Sequence, residues 1–169
     1  MRNGIDLLER GKLKQIRGIS AVSNLPRKIA ERQRNRVVKR LGSQYSLNDI
    51  RIANVPSENK GTFLMLIAEF ESSQACFVGL GAPGKPSESV ADEAIDPMVD
   101  FLLTDGVVDP FMGDQLLLPL AFAKSRSLFR TSKVTQHLLT NSTIIRKFLD
   151  IDIVIDGDIG KPGNVTIVP

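Results

Sequence analysis

The sequence predicts an α+β fold (mixed α/β), because apolar runs of strand length alternate along the chain with helical stretches that carry capping residues. Residues 62–70 and 74–80 are apolar runs joined by a short polar turn, the pattern of an antiparallel hairpin. Residues 26–41 carry a narrow apolar stripe, and Asn24 and Pro26 are suited to the start of a helix there. The predicted order is β-α-β-β-α followed by α-β-α-β-β.

The first half of the chain is also predicted to contain a strand at residues 13–22, where apolar and polar residues partly alternate. Gly42 follows the first helix and is a typical helix terminator. The single cysteine, Cys76, lies in the second hairpin strand, so we expect a buried, reduced thiol. The polar segment 104–109 indicates a boundary between the two halves.

A second long helix is predicted over residues 87–103, beginning at Ser87 or Ser89. Pro97 lies inside this stretch, and an interior proline removes a hydrogen bond and costs ~3 kcal/mol or kinks the helix. We therefore expect a bend or a break near Ile95.

The second half begins with another helix start, because Asp109 can cap a helix whose first residue is Pro110. This helix runs over residues 111–123, and Pro119 is expected to bend or end it. The remaining predicted elements are a strand over 128–137, a helix from Thr140 or Asn141 to Leu149, and two strands at 151–156 and 164–168 around a glycine-rich turn.

Charge is distributed unevenly along the chain. Residues 1–60 hold 14 lysines and arginines but only 5 acidic residues, whereas residues 61–169 hold 8 basic and 14 acidic residues. Much of the positive charge lies on the predicted helix 26–41. A basic helix indicates either a phosphate-rich partner or an ordinary solvated face, and charge alone does not choose between them.

Composition excludes several classes of protein. No run of eighteen apolar residues occurs, so we expect no membrane span, and the charged N-terminus lacks the apolar core of a secretory signal. We therefore expect a cytoplasmic protein. One cysteine and one histidine are too few for a Cys/His metal cluster, and we assign no metal ligand.

The segment GLGAPG at residues 79–84 matches the glycine pattern of dinucleotide-binding loops. Pro83, Lys85 and Pro86 separate these glycines from the next helix, so a glycine- and proline-rich loop is the better interpretation.

Two groups of carboxylates offer little more. The first, on the predicted helix 87–103, is typical of a solvated face and consists of Asp92, Glu93, Asp96 and Asp100. The second could bind a cation but lacks the spacing of an EF-hand loop, so strand-edge and turn carboxylates are the better interpretation of Asp152, Asp156 and Asp158.

His137 is the single histidine of the chain and allows two interpretations. On the predicted elements it lies at the end of a half-buried strand, where a histidine is usually a satisfied core residue. It also lies about three residues before a predicted helix, whose N-terminus favours phosphate. A neutral imidazole, with an ordinary pKa of ~6.5, can attack phosphorus.

Four segments in this order give the chain a resemblance to a known family. They are RGISAVSNLPRKIAERQ, GTFLMLIAEFE, DQLLLPLAFA and HLLTN. Together they resemble the second half of the RNA 3'-terminal phosphate cyclase family, from about Leu7 to the last strand. The motifs DQLLLPLA and HLLTN carry most of the specificity.

The resemblance implies an enzyme that uses ATP and a divalent cation, with Mg²⁺ expected, to convert an RNA 3'-phosphate end into a 2',3'-cyclic phosphate. The family's adenylated histidine opens its HLLTN motif, so that catalytic role falls on His137. The family's nucleotide-binding stretch ends in its DQ pair, so that role falls on Phe111, Met112, Gly113, Asp114 and Gln115. Phe111 stands where many members have tyrosine or histidine. The non-catalytic branch of the family lacks the histidine, so His137 indicates the catalytic branch.

The implied architecture is a small inserted α/β domain followed by one α/β repeat of the cyclase catalytic domain. Residues 1–16 would end a preceding repeat, residues 17–106 would be the insert domain, and residues 108–169 the C-terminal repeat. Members of the family are roughly twice as long, so we expect little cyclase activity from this chain alone. A lone repeat would leave a sheet face and edge uncovered. The missing N-terminal half is therefore a possible partner on a separate chain.

The alternative is a catalytically incomplete fragment that acts as an RNA-binding module through the basic helix 26–41. Binding of that kind would depend strongly on salt, because phosphate neutralisation releases counterions.

Overall fold

The computed structural model describes residues 3–169, which form eight strands and four helices. In chain order they are β1 (Asp6–Leu7), β2 (Leu13–Ser23), α1 (Lys28–Leu41), β3 (Leu47–Asn54), β4 (Gly61–Phe70), β5 (Gln74–Leu80), α2 (Ser87–Leu102), α3 (Pro110–Ala121), β6 (Ser127–Thr131), α4 (Gln136–Phe148), β7 (Asp152–Asp156) and β8 (Gly163–Val168). The predicted α+β class is confirmed.

The chain divides into two compact units, each built on a four-stranded sheet. The central unit is Gly11–Asp100, and the terminal unit is Phe101–Pro169 together with the described residues up to Arg10. Residues 1 and 2, the beginning of the predicted segment 1–16, lie outside the described residues. No helix of the described part is both long enough and apolar enough to cross a membrane.

The central unit has the strand order β3-β2-β4-β5, with β2 and β3 parallel and the other pairs antiparallel. Ser20, Leu64 and Gly79 are aligned across three of these strands, so they share one face of the sheet. Ser20 Oγ donates to Ala30 O of α1 at 3.0 Å, and Gly79 lies directly under the backbone of Val90 in α2. Both helices therefore cover the same face.

The predicted hairpin is confirmed as β4 and β5, but the strand β3 was not predicted. Half of its side chains are polar, and Ile50 alone is buried. β3 lies at the edge of the sheet, where one row of side chains needs no cover. The predicted burial of Cys76 is wrong, since Ala75 and Phe77 face the helices and Cys76 is exposed on the other face.

The ends of the central helices also differ from prediction. Asn24 does not cap α1, whose N-cap is Arg27, and the Asn24 amide instead donates to Ser57 O at 2.7 Å. α2 is one helix with no break at Pro97. Ile95 and Met98 on either side of the proline are fully buried, and this packing holds the helix together despite the missing hydrogen bond.

The terminal unit has the strand order β1-β6-β8-β7, in which β1 is parallel to β6 and the other pairs are antiparallel. Leu117 of α3 and Leu138 of α4 share one core with Phe129, Val165 and Ile167 of the sheet. α3 and α4 also contact each other, so the unit consists of a helix layer on a sheet.

Arg10 ties the beginning of this unit to the end of α2. Its guanidinium donates to Phe101 O at 3.1 Å, to Gly106 O at 2.9 Å and to Thr104 O, and lies 4.7 Å from the centre of the Phe101 ring. The Phe101 carbonyl belongs to the last turn of α2 and the other two follow that turn, where a cation is favoured. The segment that leads into α3 is therefore held in a fixed path.

Candidate functional site

His137 is the second residue of α4 and does not lie at the end of a strand. β6 ends at Thr131, and α4 is capped by Thr135, whose Oγ1 accepts from Leu138 N at 3.0 Å. The predicted strand over 128–137 is therefore too long, and the predicted helix start at Thr140 or Asn141 is wrong. The His137 side chain is exposed, so the interpretation as a core histidine is also wrong.

The position in the first turn places His137 where unpaired backbone amides and the helix dipole favour an anion. The segment before it is anchored, because Val134 N donates to Lys161 O at 2.7 Å and Gly160 N donates to Val134 O at 2.9 Å. Val134 is fully buried in the core. An exposed imidazole on a fixed backbone can meet a phosphate without reorganisation of the helix.

The start of α3 confirms the predicted cap. Asp109 Oδ1 accepts from Phe111 N and Met112 N, each at 3.0 Å, and Pro110 is the first helical residue. Asp109 is buried, so these two bonds satisfy a carboxylate that would otherwise be costly to bury. The cap fixes the first turn of α3, which carries three of the predicted nucleotide-binding residues, and Asp114 and Gln115 follow in the second turn.

The five predicted nucleotide-binding residues fall on different sides of α3. Phe111, Met112 and Gln115 are exposed, and Asp114 is half-buried. Gly113 is buried and faces the sheet, where an added Cβ would lie 3.1 Å from Thr131 Oγ1. The close approach brings the first turn of α3 to the end of β6, only a few residues before His137.

Two lysines that sequence reasoning did not single out lie beside this segment. Lys133 and Lys161 are both exposed. Lys133 is close to His137 in the chain, a signal that was available in the sequence. Lys161 is brought there only by the fold, since its carbonyl accepts from Val134 N. Among the described residues, no group of three or more histidines, cysteines or carboxylates is placed to hold a metal ion.

The basic helix α1 does not present all its charge to solvent. Arg32 and Arg36 form bidentate hydrogen bonds with Glu88 and Asp92 of α2, and Arg40 bridges Asp92 and Asp96. Two of the four carboxylates in the predicted acidic group of α2, Asp92 and Asp96, thus pair with α1 and are not only part of a solvated face. We call these ion pairs between α1 and α2 the ladder. Four of the seven basic residues at 27–40 lie outside it, namely Arg27, Lys28, Arg34 and Lys39.

Comparison with known proteins gives consistent matches. A family model described as the RNA 3'-terminal phosphate cyclase (RTC) insert domain matches residues 8–103. The RNA 3'-terminal phosphate cyclase of Gloeothece citriformis is 36% identical over 165 residues, which are 95% of this chain and 47% of that protein.

Proteins of the same name in two archaea are similar to this chain as well. That of Thermococcus kodakarensis is 36% identical over 152 residues, covering 89% of this chain and 44% of the relative. That of Saccharolobus solfataricus is 39% identical over 155 residues, with the same coverage of 89% and 44%. The chain spans about half the length of the curated relatives it matches.

Proposed function

The chain belongs to the RNA 3'-terminal phosphate cyclase family, and from this premise we propose that it carries the nucleophile of an ATP-dependent RNA cyclase. The observation that supports the proposal best is the position of His137, exposed in the first turn of α4. A buried imidazole could not reach a nucleotide, whereas this one lies at a helix end that favours phosphate.

In the proposed first step, a ring nitrogen of His137 attacks the α-phosphorus of ATP. A P–N bond forms, the bond to the β-phosphate oxygen breaks, and pyrophosphate leaves with the electron pair of that bond. The imidazole loses its N–H proton or keeps a positive charge. When the phosphoramidate is protonated, the imidazole of His137 is a good leaving group in the next transfer.

In the following steps, an oxygen of the RNA 3'-phosphate displaces His137 from the adenylyl phosphorus. The neighbouring 2'-hydroxyl then attacks the 3'-phosphorus, and AMP leaves as the 2',3'-cyclic phosphate closes. Adenylation is needed because a phosphate dianion alone is a poor electrophile with a poor leaving group.

The first two turns of α3 carry the proposed nucleotide-binding segment. The exposed Phe111 ring and Gln115 amide are available to a base and to polar groups of the nucleotide, while Asp114 is only half-buried and offers a carboxylate. Gly113 acts through packing, because it allows α3 to approach Thr131. Mg²⁺, when bound with ATP, would offset the charge of the triphosphate and of the leaving pyrophosphate.

The proposal includes a second protein component, the part of the relatives that the match does not cover, which we expect to be an N-terminal half in a longer protein or on a separate chain. The chain alone is expected to have little cyclase activity. Intact-mass spectrometry after incubation with ATP and Mg²⁺, with the unmatched part of a relative supplied, should show one acid-labile AMP adduct. The same mixture without ATP is the control, and no adduct in the complete mixture would exclude the proposal.

RNA binding through the helix 26–41 receives less support than the cyclase proposal. Arg32, Arg36 and Arg40 are already paired with carboxylates of α2, so binding RNA through them would require these pairs to break. A filter-binding titration measures this alternative directly, because phosphate contacts produce an affinity that falls steeply with salt.

A further inference from the structure

The central unit contains a cavity of about 360 Å³ between the first turns of α1 and α2 and the start of β4. None of the residues proposed for nucleotidyl transfer lines it. The lining is apolar on one part and polar on another. The apolar lining includes Leu25, Ile29 and Val90, and the polar lining includes Lys60, Thr62 and Ser87.

The topology of the sheet brings two helix N-termini to this cavity. β2 and β5 run in the same direction, because each is antiparallel to β4 between them. α1 follows β2 and α2 follows β5, so both helices begin at the same end of the sheet. The first amides of a helix have no acceptor within it, and its dipole is positive at that end. The arrangement therefore favours an anion between the two helices.

The amides at these two helix starts are not satisfied by a side-chain cap on α1. Its N-cap, Arg27, makes no side-chain hydrogen bond to the first turn. In α2, Val90 N donates to Pro86 O at 3.1 Å, and the amides that precede Val90 lie before this bond. Both first turns thus keep donors that a ligand can use.

Ser87 is a second, independent indication of a ligand. It is the first residue of α2, lines the cavity and is only 5% exposed. No hydrogen bond within the described part of the chain involves its Oγ. A buried hydroxyl normally has a partner, because it loses its hydrogen bonds with water on burial. A ligand with acceptor oxygens would supply that partner.

The charges around the cavity are positive on balance. Lys85 forms an ion pair with Glu93 and is thereby neutralised. Lys60 is exposed, and among residues 3–169 no carboxylate lies within ion-pair distance of it. The carboxylate in the first turn of α2, Glu88, is bound by two nitrogens of Arg32. Lys60 is therefore the cation that remains for an anionic ligand.

The loop GLGAPG forms one wall of the cavity with its backbone. Gly81 N donates to Thr62 O at 2.8 Å, and a Cβ on Gly81 would lie 2.3 Å from Thr62 Cγ2. Gly84 has a φ of +78°, a conformation that favours glycine. The loop is thus held tightly against the start of β4. The volume lies at the small end of the range of about 300–1,000 Å³ typical of ligand pockets, which suits a mononucleotide better than a dinucleotide.

We infer that this cavity binds a small phosphate monoester of mononucleotide size. The phosphate lies between the two helix starts and accepts from Ser87 Oγ and from Lys60, and the organic part lies against Leu25, Ile29 and Val90. A phosphate fits better than a carboxylate, because its greater charge and three acceptor oxygens can use both helix ends and the lysine together. The inference does not depend on the proposed function, since the cavity lies in the other unit.

The test is a titration of the full chain with AMP, followed residue by residue through the backbone amide signals in NMR spectra. Adenosine and inorganic phosphate are titrated in the same way, because each carries only one part of the ligand. The variants are Ser87→Ala and Lys60→Glu. Lys39→Glu is the matched control, since it makes the same change of charge in the last turn of α1, at the end away from the cavity.

We expect AMP to shift the amide signals of residues 81–90, and adenosine and inorganic phosphate to bind at least about tenfold more weakly. Ser87→Ala and Lys60→Glu should each weaken AMP binding by about tenfold, whereas Lys39→Glu should not change it. The melting temperature of Ser87→Ala should equal that of the wild type, because the substitution removes no hydrogen bond of the protein. Its loss of affinity therefore cannot come from unfolding.

Four results would overturn the inference. One is that AMP shifts only signals of α3 and α4, which would leave the proposed nucleotide-binding segment in place without this second site. Another is that adenosine or inorganic phosphate binds as tightly as AMP. The third is that all variants bind AMP equally. The last is that a 3'-phosphorylated RNA oligonucleotide shifts residues 81–90 at lower concentration than AMP, which would assign the cavity to an RNA end.

Discussion

Arg36 and Asp92 form a bidentate ion pair between α1 and α2, in which the Nε–Oδ1 and Nη2–Oδ2 distances are both 2.9 Å. Arg40 Nη1 donates to the same Asp92 Oδ1 at 2.9 Å and to Asp96 Oδ1 at 2.5 Å. One carboxylate thus joins two arginines that are one helical turn apart. The pairing explains why a strongly basic helix and an acidic helix pack on the same face of the central sheet.

Asp92→Asn is expected to lower the melting temperature, because it removes the charge that Arg36 and Arg40 share. Both arginines and Asp92 are only about two-thirds to three-quarters buried, so solvent screening keeps the effect modest, a fall of roughly 2–5 °C. Thermal denaturation followed by circular dichroism measures it. Glu58→Gln, which changes an exposed carboxylate between β3 and β4, is the control, and equal shifts in both variants would show that the ladder adds nothing.

Acid should destabilise the central unit in a defined range of pH. Hydrogen bonds from Arg36, and then from Arg40, lower the pKa of Asp92, and the hydrogen bond from Arg32 lowers the pKa of Glu88. A carboxylate with a lowered folded-state pKa contributes stability that is complete above its unfolded pKa of ~4 and is lost as the pH falls through the folded value.

We therefore expect the melting temperature to be nearly constant from neutral pH down to about 5 and to fall below about 4. The fall should be smaller in Asp92→Asn, which has no carboxylate to protonate at this position. A wild type and an Asp92→Asn variant with the same dependence on pH would contradict this assignment of the acid sensitivity.

Local sequence patterns predicted some helices and strands correctly and failed where tertiary packing determines where an element begins. The hairpin β4–β5 was predictable because its strands are apolar runs with a short turn, and the start of α3 because the cap of Asp109 is local chemistry. The start of α4 was not predictable, since Thr135, Thr140 and Asn141 are all suitable caps. Thr135 is the cap because Leu138 and Val134 are drawn into the core.

The candidate site was predictable only in part. His137 was found through the motif HLLTN, but its exposure depends on the position of the helix start, which the pattern placed a turn too late. The ladder between α1 and α2 could not be foreseen, because nothing in the sequence indicates that helices more than 40 residues apart share one face of a sheet. Its formation takes three of the seven basic residues at 27–40, Arg32, Arg36 and Arg40, out of the apparent basic patch.

Asp109→Ala is expected to lower the free energy of unfolding by about 1–2 kcal/mol, because the amides of Phe111 and Met112 lose their acceptor. Asp109→Asn is the matched variant, since an asparagine oxygen can accept the same bonds, and it should retain most of the stability. Urea denaturation of both variants measures the difference. Equal losses in the two would mean that the charge, and not the cap, is what matters.

Gly106→Ala should destabilise the terminal unit by about 1–3 kcal/mol, because the added methyl group meets backbone that cannot move freely. Its Cβ would lie 2.3 Å from Ser132 Cα and 2.4 Å from Ser132 N. Gly61→Ala is the control, since no atom lies within 4 Å of the corresponding Cβ and its effect should be within about 0.5 kcal/mol. Similar losses in both variants would exclude the steric explanation.

His137→Asn separates the two interpretations of the histidine. The exposed side chain should be replaceable with a change of less than about 0.5 kcal/mol in the free energy of unfolding, whereas a core histidine would cost more. The same substitution should abolish the acid-labile AMP adduct completely, because asparagine has no nucleophilic ring nitrogen. Gln136→Ala, one residue earlier and also exposed, should keep both the stability and the adduct. An adduct that persists in His137→Asn would assign the nucleophile to another residue.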